Sequence, residues 1–238
     1  MYNQIDAVSQ DREAFLAQTF PVLMRKVYSW MALGLLMTAL TSLLVVSSPS
    51  LLYAIFSVPY LLIGLLVVEV AVVLILSAMI NKLSFAMAGV MFAAYAILNG
   101  VTLSCLFLVY TEGSIVDTFF VTAATFGGMS LFGYVTKKDL SVMGQILYMS
   151  LIGLVIATIV NAFVDFELVY AITNYAGVLI FVGLTAYDTQ KIKKMLKRYG
   201  TNGDSDQTNK LALMGSLELY LDFVNLFLYL LRFLGKKK

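Results

Sequence analysis

The sequence predicts an all-α integral membrane protein, built as a bundle of seven transmembrane helices. Hydrophobic residues make up 61% of the 238-residue chain and charged residues 13%, about half the ~25% charged residues of soluble domains. The apolar residues fall into long windows, and about 20 apolar residues cross a bilayer as a helix. Polar and apolar residues do not alternate in these windows, as they would in a membrane β-barrel. Short connections between the windows favour one compact bundle.

Seven windows carry this prediction, and the third is long enough to tilt in a bilayer. A turn is predicted at 112–114, between the third and fourth windows, and the polar stretch 200–209 is predicted to be a mobile loop. In chain order, the windows are Val27–Val46, Tyr60–Ile80, Leu83–Tyr110, Thr118–Val135, Leu140–Val164, Leu168–Gln190 and Leu211–Leu234.

The N-terminal residues have a different composition from the rest of the chain. The first residues mix both charges and lack the apolar core of a signal peptide. We therefore expect residues 1–26 to be a cytoplasmic N-terminal segment and residues 27–238 to form the transmembrane domain.

Charge placement predicts that the N-terminus lies in the cytoplasm, because basic residues that flank spans favour that side. We expect a multi-pass protein of the plasma, or inner, membrane. The loops on the predicted outer side hold acids and no basic residue. The basic residues on the predicted inner side are Arg12, Arg25, Lys26, Lys82, Lys137, Lys138, Lys191, Lys193, Lys194, Lys197, Arg198 and Lys210.

The seventh window leaves two alternatives open. A full crossing places Arg232 and Lys236–Lys238 on the outer side, against the charge rule, whereas a re-entrant segment obeys it. Hydrophobicity is unbroken from Phe223 to Leu231, which favours the full crossing.

Four acids lie within the predicted spans, at Glu69, Asp188, Glu218 and Asp222. An acid at the centre of a membrane helix costs about 3 kcal/mol on insertion scales. Arg232 is the one cation within the windows, so the remaining charge must be met by protons, by a bound cation or by the basic loop 191–198. Structural alternatives are a Glu69–Arg232 pair and a Glu218 paired with loop lysines. The chain has no histidine, so any proton sensing falls to carboxylates.

The acids of the seventh window share one helix face. Glu218, Asp222, Asn225 and Tyr229 follow each other at i, i+4, i+7 and i+11, which is one stripe of a helix. A polar stripe in an otherwise apolar span faces the protein interior, so the last helix is predicted to be central. Asn225 is expected to form an inter-helix hydrogen bond.

Asp188 and Asp222 can meet in the cytoplasmic half, because the sixth and seventh windows run in opposite directions. Two carboxylates about 4 Å apart repel by about 4 kcal/mol at an effective dielectric constant of 20. Such a pair shares a proton or holds a divalent cation. Oxygen ligands alone favour Ca²⁺ over zinc or copper, so Asp188 and Asp222 are the predicted pH-sensing and Ca²⁺-binding residues.

Several function classes are excluded on composition. Without histidine or a lysine inside a window, nothing activates a serine nucleophile, and no glycine-rich phosphate loop is present. An intramembrane aspartyl protease would need glycines before its second acid, and Asp222 follows Leu221. A net charge of +2 argues against nucleic acid as a partner. We therefore expect no enzyme and no cofactor beyond transient Ca²⁺, and a monomer.

Several segments together resemble the Bax inhibitor-1 family, also called the transmembrane Bax inhibitor motif family. The resemblance implies seven helices around the last one, pH-sensitive Ca²⁺ leak, and gating by paired aspartates that match Asp188 and Asp222. It also matches Glu69 to a family acid and Arg232 to a family base. The second span of this chain lacks an arginine that could hold the two aspartates together. The matching segments are MRKVYSWMALGLLMT (24–38), TFGGMSLFGYVTKKDL (125–140), GLTAYDTQKI (183–192) and GSLELYLDFVNLF (215–227).

Two functions follow from this reading. The first is a pH-sensitive Ca²⁺ leak channel or proton-coupled cation transporter, gated by Asp188 and Asp222 with Glu69, Glu218, Asn225 and Arg232 as supporting polar residues. The alternative is a regulator that transports nothing and binds a membrane-bound protease or another membrane protein through residues 1–20 or a lipid-facing surface. Bacterial relatives in the family are described as regulators of such a protease.

Overall fold

The computed structural model describes residues 2–58, 60–80, 82–199 and 205–238, with the backbone alone for residues 2–20, 199 and 205. The chain is 89% helical, and the described residues form no β-sheet. The alternative regulatory role for residues 1–20 falls on side chains outside the described set. The helices are α1 (Tyr2–Ser47), α2 (Pro49–Phe56), α3 (Leu61–Met79), α4 (Phe85–Leu103), α5 (Leu106–Val109), α6 (Glu112–Val135), α7 (Ser141–Val164), α8 (Glu167–Tyr199) and α9 (Ser205–Leu234).

Seven segments among the described residues are long and apolar enough to cross a membrane, which confirms the predicted fold class. Each corresponds to one predicted window, with ends that differ by up to about two turns. They are Pro21–Ser47, Leu61–Met79, Phe85–Val109, Glu112–Val135, Ser141–Val164, Glu167–Arg198 and Asp206–Leu234.

The sixth segment extends well beyond its predicted C-terminal end. Charged residues end a hydropathy window, so the prediction stopped at Gln190, whereas the helix α8 continues to Tyr199. Lys191 therefore lies on the helix that contains the sixth window, one residue beyond the predicted end of that window. A lysine near a helix end keeps its ammonium group accessible through its long aliphatic stem.

Local structure also corrects three smaller predictions. Residues 112–114 form the first turn of α6 rather than a turn between spans, and Glu112 there complements the helix dipole. The first loop contains the short helix α2, with Pro49 at its start, a position that suits proline. Residues 205–209 of the predicted mobile loop begin α9, and residues 200–204 lie outside the described residues.

The chain divides into two compact units. The first comprises Met1–Leu103 and Ile192–Leu217, and the second comprises Ser104–Lys191 and Glu218–Lys238. In the first unit, α1 packs against α4. The Thr38 hydroxyl on α1 donates to the Ala96 carbonyl at 2.9 Å, and the Trp30 ring meets the edges of neighbouring aromatic rings, Phe85 and Phe92.

In the second unit, glycines bring α8 close to its neighbours. A Cβ on Gly133 of α6 would collide with the backbone of Ala186, and one on Gly144 of α7 would collide with the Tyr187 ring. Small residues allow this close approach of membrane helices. Because Ala186 and Tyr187 precede Asp188 on α8, the two glycines fix where Asp188 lies.

The C-terminal residues lie at the α5–α6 connection. The Thr111 N–H donates to the Lys236 carbonyl at 3.0 Å, the Lys238 N–H donates to the Val109 carbonyl at 3.0 Å, and the Lys236 N–H donates to the Ser114 hydroxyl at 2.8 Å. These bonds form a short antiparallel bridge between Tyr110 and Lys237. The end of α9 therefore lies beside the start of α6.

The other end of this part of α9 lies beside the end of α6. Gln190 hydrogen-bonds to the loop that follows α6, at Lys138 and Leu140, and Lys191, next in sequence, contacts Glu218 of α9. Glu218 and Lys236 thus lie near opposite ends of α6, a 24-residue helix about 36 Å long at 1.5 Å per residue. The α9 segment is therefore long enough for the full crossing that the sequence favours.

Candidate functional site

Three of the four acids predicted within the spans are buried. Asp188 is 3% exposed, Asp222 5% and Glu69 6%. The last span is also the most buried, with 67% of its most apolar stretch buried, compared with 6–39% for the other six. The polar stripe on α9 therefore belongs to a buried helix, as the prediction of a central last helix requires.

Asp188 and Asp222 come together in the second unit. The carboxyl groups of Asp188 on α8 and Asp222 on α9 come close enough to form a side-chain hydrogen bond. Ionised carboxylates only accept hydrogen bonds, so such a bond requires a proton on one of the two groups. The two acids are therefore close enough to share a proton.

Tyr148 of α7 is a third member of this cluster. Its hydroxyl donates to Asp188, at 3.1 Å from Oδ1 and 3.4 Å from Oδ2. Its ring meets the Tyr187 ring edge-on, with centroids 5.9 Å apart. Tyr148 follows Gly144 by one turn, so the same close approach that seats Tyr187 also brings Tyr148 to Asp188. Little in the sequence indicated this role, since a tyrosine in an apolar window resembles ordinary packing.

Lys191 supplies the positive charge of this cluster. Its Nζ lies 2.9 Å from Oε1 of Glu218 and 4.0 Å from Oδ1 of Asp188, and 6.0 Å from the centre of the Tyr148 ring. Its side chain is 38% exposed and that of Glu218 21%. Of the alternatives for Glu218, the structure shows the pairing with a lysine at the start of the basic run.

Two carboxylate oxygens of α9 are left without a partner. Glu218 Oε2 and Asp222 Oδ2 are buried, and neither accepts a hydrogen bond. A buried acceptor without a partner costs about 1–3 kcal/mol, and more when charged. The site therefore has unused capacity to bind a proton or a cation.

The described residues contain no group of three or more acidic, cysteine or histidine side chains arranged to hold a metal ion. Ca²⁺ takes 6–8 oxygen ligands, of which Asp188 and Asp222 offer a few, so water would have to supply most of the rest.

The backbone around Asp188 is fixed by hydrogen bonds to neighbouring segments. Thr189 shares a hydrogen bond of 3.0 Å with Ser130 of α6. The Gln190 side chain accepts from the Leu140 N–H at 3.0 Å and donates to the Lys138 carbonyl at 2.8 Å. These contacts set the rotation of α8 and so keep Asp188 facing α9.

The remaining predicted site residues make contacts of their own. Glu69 belongs to the first unit, where its carboxylate accepts hydrogen bonds from Thr102 at 2.7 Å and Asn99 at 3.3 Å. The Arg232 guanidinium lies 5.2 Å from the centre of the Tyr229 ring. Asn225 donates to the Leu221 carbonyl of its own helix at 2.8 Å, so the expected inter-helix bond was wrong.

Comparison with known proteins gives a consistent family. Residues 21–238 match the family described as inhibitor of apoptosis-promoting Bax1. The chain is 47% identical to the inner membrane protein YbhL of Escherichia coli K12, over 98% of this chain and 97% of that protein. It is 41% identical to an uncharacterized protein of Borreliella burgdorferi, over 98% and 99%. An uncharacterized membrane protein of Streptococcus pyogenes serotype M3 is 33% identical, over 89% and 91%.

The match extends over all seven apolar segments, with the first beginning at Pro21. It therefore confirms the resemblance seen in the separate segments around Tyr187 and Asp222. Relatives across this range of identity are named as inner membrane or membrane proteins, in agreement with the seven apolar segments of this chain. The chain belongs to the Bax inhibitor-1 family.

Proposed function

We propose that this membrane protein is a pH-sensitive Ca²⁺ leak channel or proton-coupled cation transporter, gated by Asp188 and Asp222. The observation that supports this most directly is the close approach of the two buried carboxyl groups. One proton can hold the two helices α8 and α9 together at this point. This arrangement has the groups that cation transport needs, rather than those that catalysis needs.

Loss of the shared proton changes the energy of the contact. Two ionised carboxylates about 4 Å apart repel by about 4 kcal/mol at an effective dielectric constant of 20. The repulsion is relieved if the helices separate or if a cation takes the proton's place. The protonated pair is therefore the closed state, and the ionised pair is the state that admits a cation.

Transient cation binding agrees with the donor set. The unpartnered Asp222 Oδ2 is available to a cation, and carboxylate oxygens suit Ca²⁺. Few protein ligands imply modest affinity, and a conducting site must release its ion.

We further propose an inner-membrane location with the N-terminus in the cytoplasm. The name of the relative YbhL supports the location, and the basic residues that flank alternate spans support the orientation. A cytoplasmic N-terminus places the Asp188–Asp222 pair toward the cytoplasmic half, so cytoplasmic pH would control it.

The test is Ca²⁺ flux through the purified full-length chain in lipid vesicles that contain a Ca²⁺-sensitive dye. We expect influx that increases as the pH rises from about 6 to about 8, since the ionised pair is the open state. Empty vesicles and vesicles with heat-denatured protein are the controls. Absence of flux above these controls at every pH would overturn the proposal.

A further inference from the structure

We propose that Lys191 is a built-in competitor for the cation at the paired-aspartate site. Its ammonium group neutralises Glu218 and so keeps a third carboxylate away from the incoming ion. This inference deepens the proposed function and rests on it, because it concerns the cation site formed by Asp188 and Asp222.

The position of Lys191 carries the first step. Its Nζ lies between acids of two helices, 2.9 Å from Glu218 Oε1 on α9 and 4.0 Å from Asp188 Oδ1 on its own helix, α8. Lys191 follows Asp188 by three residues and so shares its helix face. The ammonium group therefore occupies a place where an incoming cation would meet both helices.

The unpartnered oxygens carry the second step. Glu218 uses Oε1 for Lys191, while its Oε2 is buried without a partner. Asp222 lies one turn further along α9 and is 5% exposed. Its Oδ2 is also buried without a hydrogen-bond partner. Two unmet acceptors thus lie one turn apart on the helix that faces Lys191.

The charge of the cluster carries the third step. The groups that face Lys191 in the described part of the second unit are Glu218 and Asp222 of α9, Asp188 and Tyr187 of α8, and Tyr148 of α7. With the three carboxylates ionised and the phenols neutral, one lysine leaves a net charge of minus two. A single divalent cation balances that charge. Without Lys191 the charge would be minus three, with Glu218 free to become a ligand.

The experiment measures binding without transport. Terbium (Tb³⁺) replaces Ca²⁺ at oxygen sites, and its luminescence can be excited through nearby tyrosines such as Tyr148. Tb³⁺ is titrated into the full-length chain in detergent, and Ca²⁺ is then used to displace it. The luminescence that is absent from Asp222→Asn defines the signal of this site.

The site charge predicts an order of affinity for four forms. Lys191→Gln should bind both ions more tightly than wild type, by about tenfold or more, because a positive charge within a few ångströms is removed. Glu218→Gln should bind more weakly than wild type by a similar factor. The double variant Lys191→Gln/Glu218→Gln restores the wild-type charge and should bind within about threefold of wild type.

Two controls separate charge from general disturbance. Lys191→Arg keeps the charge and should bind far closer to wild type than Lys191→Gln. Lys137→Gln removes an exposed lysine of the same unit and should leave affinity unchanged. Gel filtration of each variant shows whether it is folded, and comparison is restricted to folded forms.

The outcomes decide the inference independently of flux. Equal affinity of Lys191→Gln and wild type, no site-specific signal in any form, or a double variant as tight as Lys191→Gln would overturn it. The predicted order, together with a wild-type protein that passes no Ca²⁺ in vesicles, would support the role of Lys191 while refuting the leak function.

Discussion

Each of the two units buries an acid within an apolar helix, but the two acids differ in their hydrogen-bond partners. Glu69 in the first unit accepts a hydrogen bond at each carboxylate oxygen, from Thr102 and Asn99. Asp222 in the second unit is as deeply buried, yet it faces a second acid and keeps one oxygen without a partner. Burial alone therefore does not distinguish the two acids, whereas the supply of hydrogen-bond donors does.

The largest effect is expected from Asp222→Asn. The amide keeps the shape of the side chain but can neither ionise nor repel Asp188. Ca²⁺ flux in vesicles should fall by about tenfold or more at pH 8, and its dependence on pH should largely disappear, because each factor of ten corresponds to about 1.4 kcal/mol. If flux through Asp222→Asn keeps the wild-type pH profile, the proposed distinction between Asp222 and Glu69 is wrong.

Thr102→Val should affect stability rather than flux. It removes the 2.7 Å hydrogen bond to Glu69 and leaves one carboxylate oxygen without that donor, at a cost of about 1–3 kcal/mol. Thermal unfolding in detergent should begin at lower temperature, while flux per folded molecule keeps its pH profile. A changed pH profile would mean that Glu69 also takes part in gating.

Tyr148→Phe should shift the pH dependence of flux by a smaller amount. The hydroxyl donates to Asp188, which stabilises the ionised carboxylate that the open state needs. Without this donor the proton is held to higher pH, so the midpoint of the flux profile should move up by about half to one pH unit. A midpoint that moves down would show that the phenol favours the closed state.

Ser114→Ala should have the smallest effect. It removes one hydrogen bond to the Lys236 N–H at the far end of α9, worth about 0.5–1.5 kcal/mol. The unfolding temperature should fall slightly, and flux should match wild type. A large loss of flux would show that the C-terminal bridge, rather than the aspartate pair, controls the helix.

Most of the fold could be predicted because it follows from hydropathy alone. Seven apolar windows became seven apolar segments, and the acids on one face of the last window correctly marked α9 as the most buried span, although only Asp222 of that polar stripe is itself buried. The short α2 and the start of α6 at Glu112 were missed. Local capping decides such boundaries, and a hydropathy window averages over it.

The site was only partly predictable. The aspartates stood out because acids are rare in spans, but Lys191 was assigned to a loop since its charge ended the apolar window. Tyr148 could not be found, because its importance depends on the close approach of α7 at Gly144. For Glu69, the polar residues Asn99 and Thr102, three apart on α4, were a signal that could have identified its partners.

The most direct measurement compares the two acids in one assay. Wild type, Asp222→Asn and Glu69→Gln are reconstituted at equal amounts, and Ca²⁺ influx is recorded at pH 6 and pH 8. We predict that the difference between the two pH values is retained by wild type and Glu69→Gln and is lost in Asp222→Asn. If the difference survives in Asp222→Asn and disappears in Glu69→Gln, gating belongs to the first unit and the account of the aspartate pair is wrong.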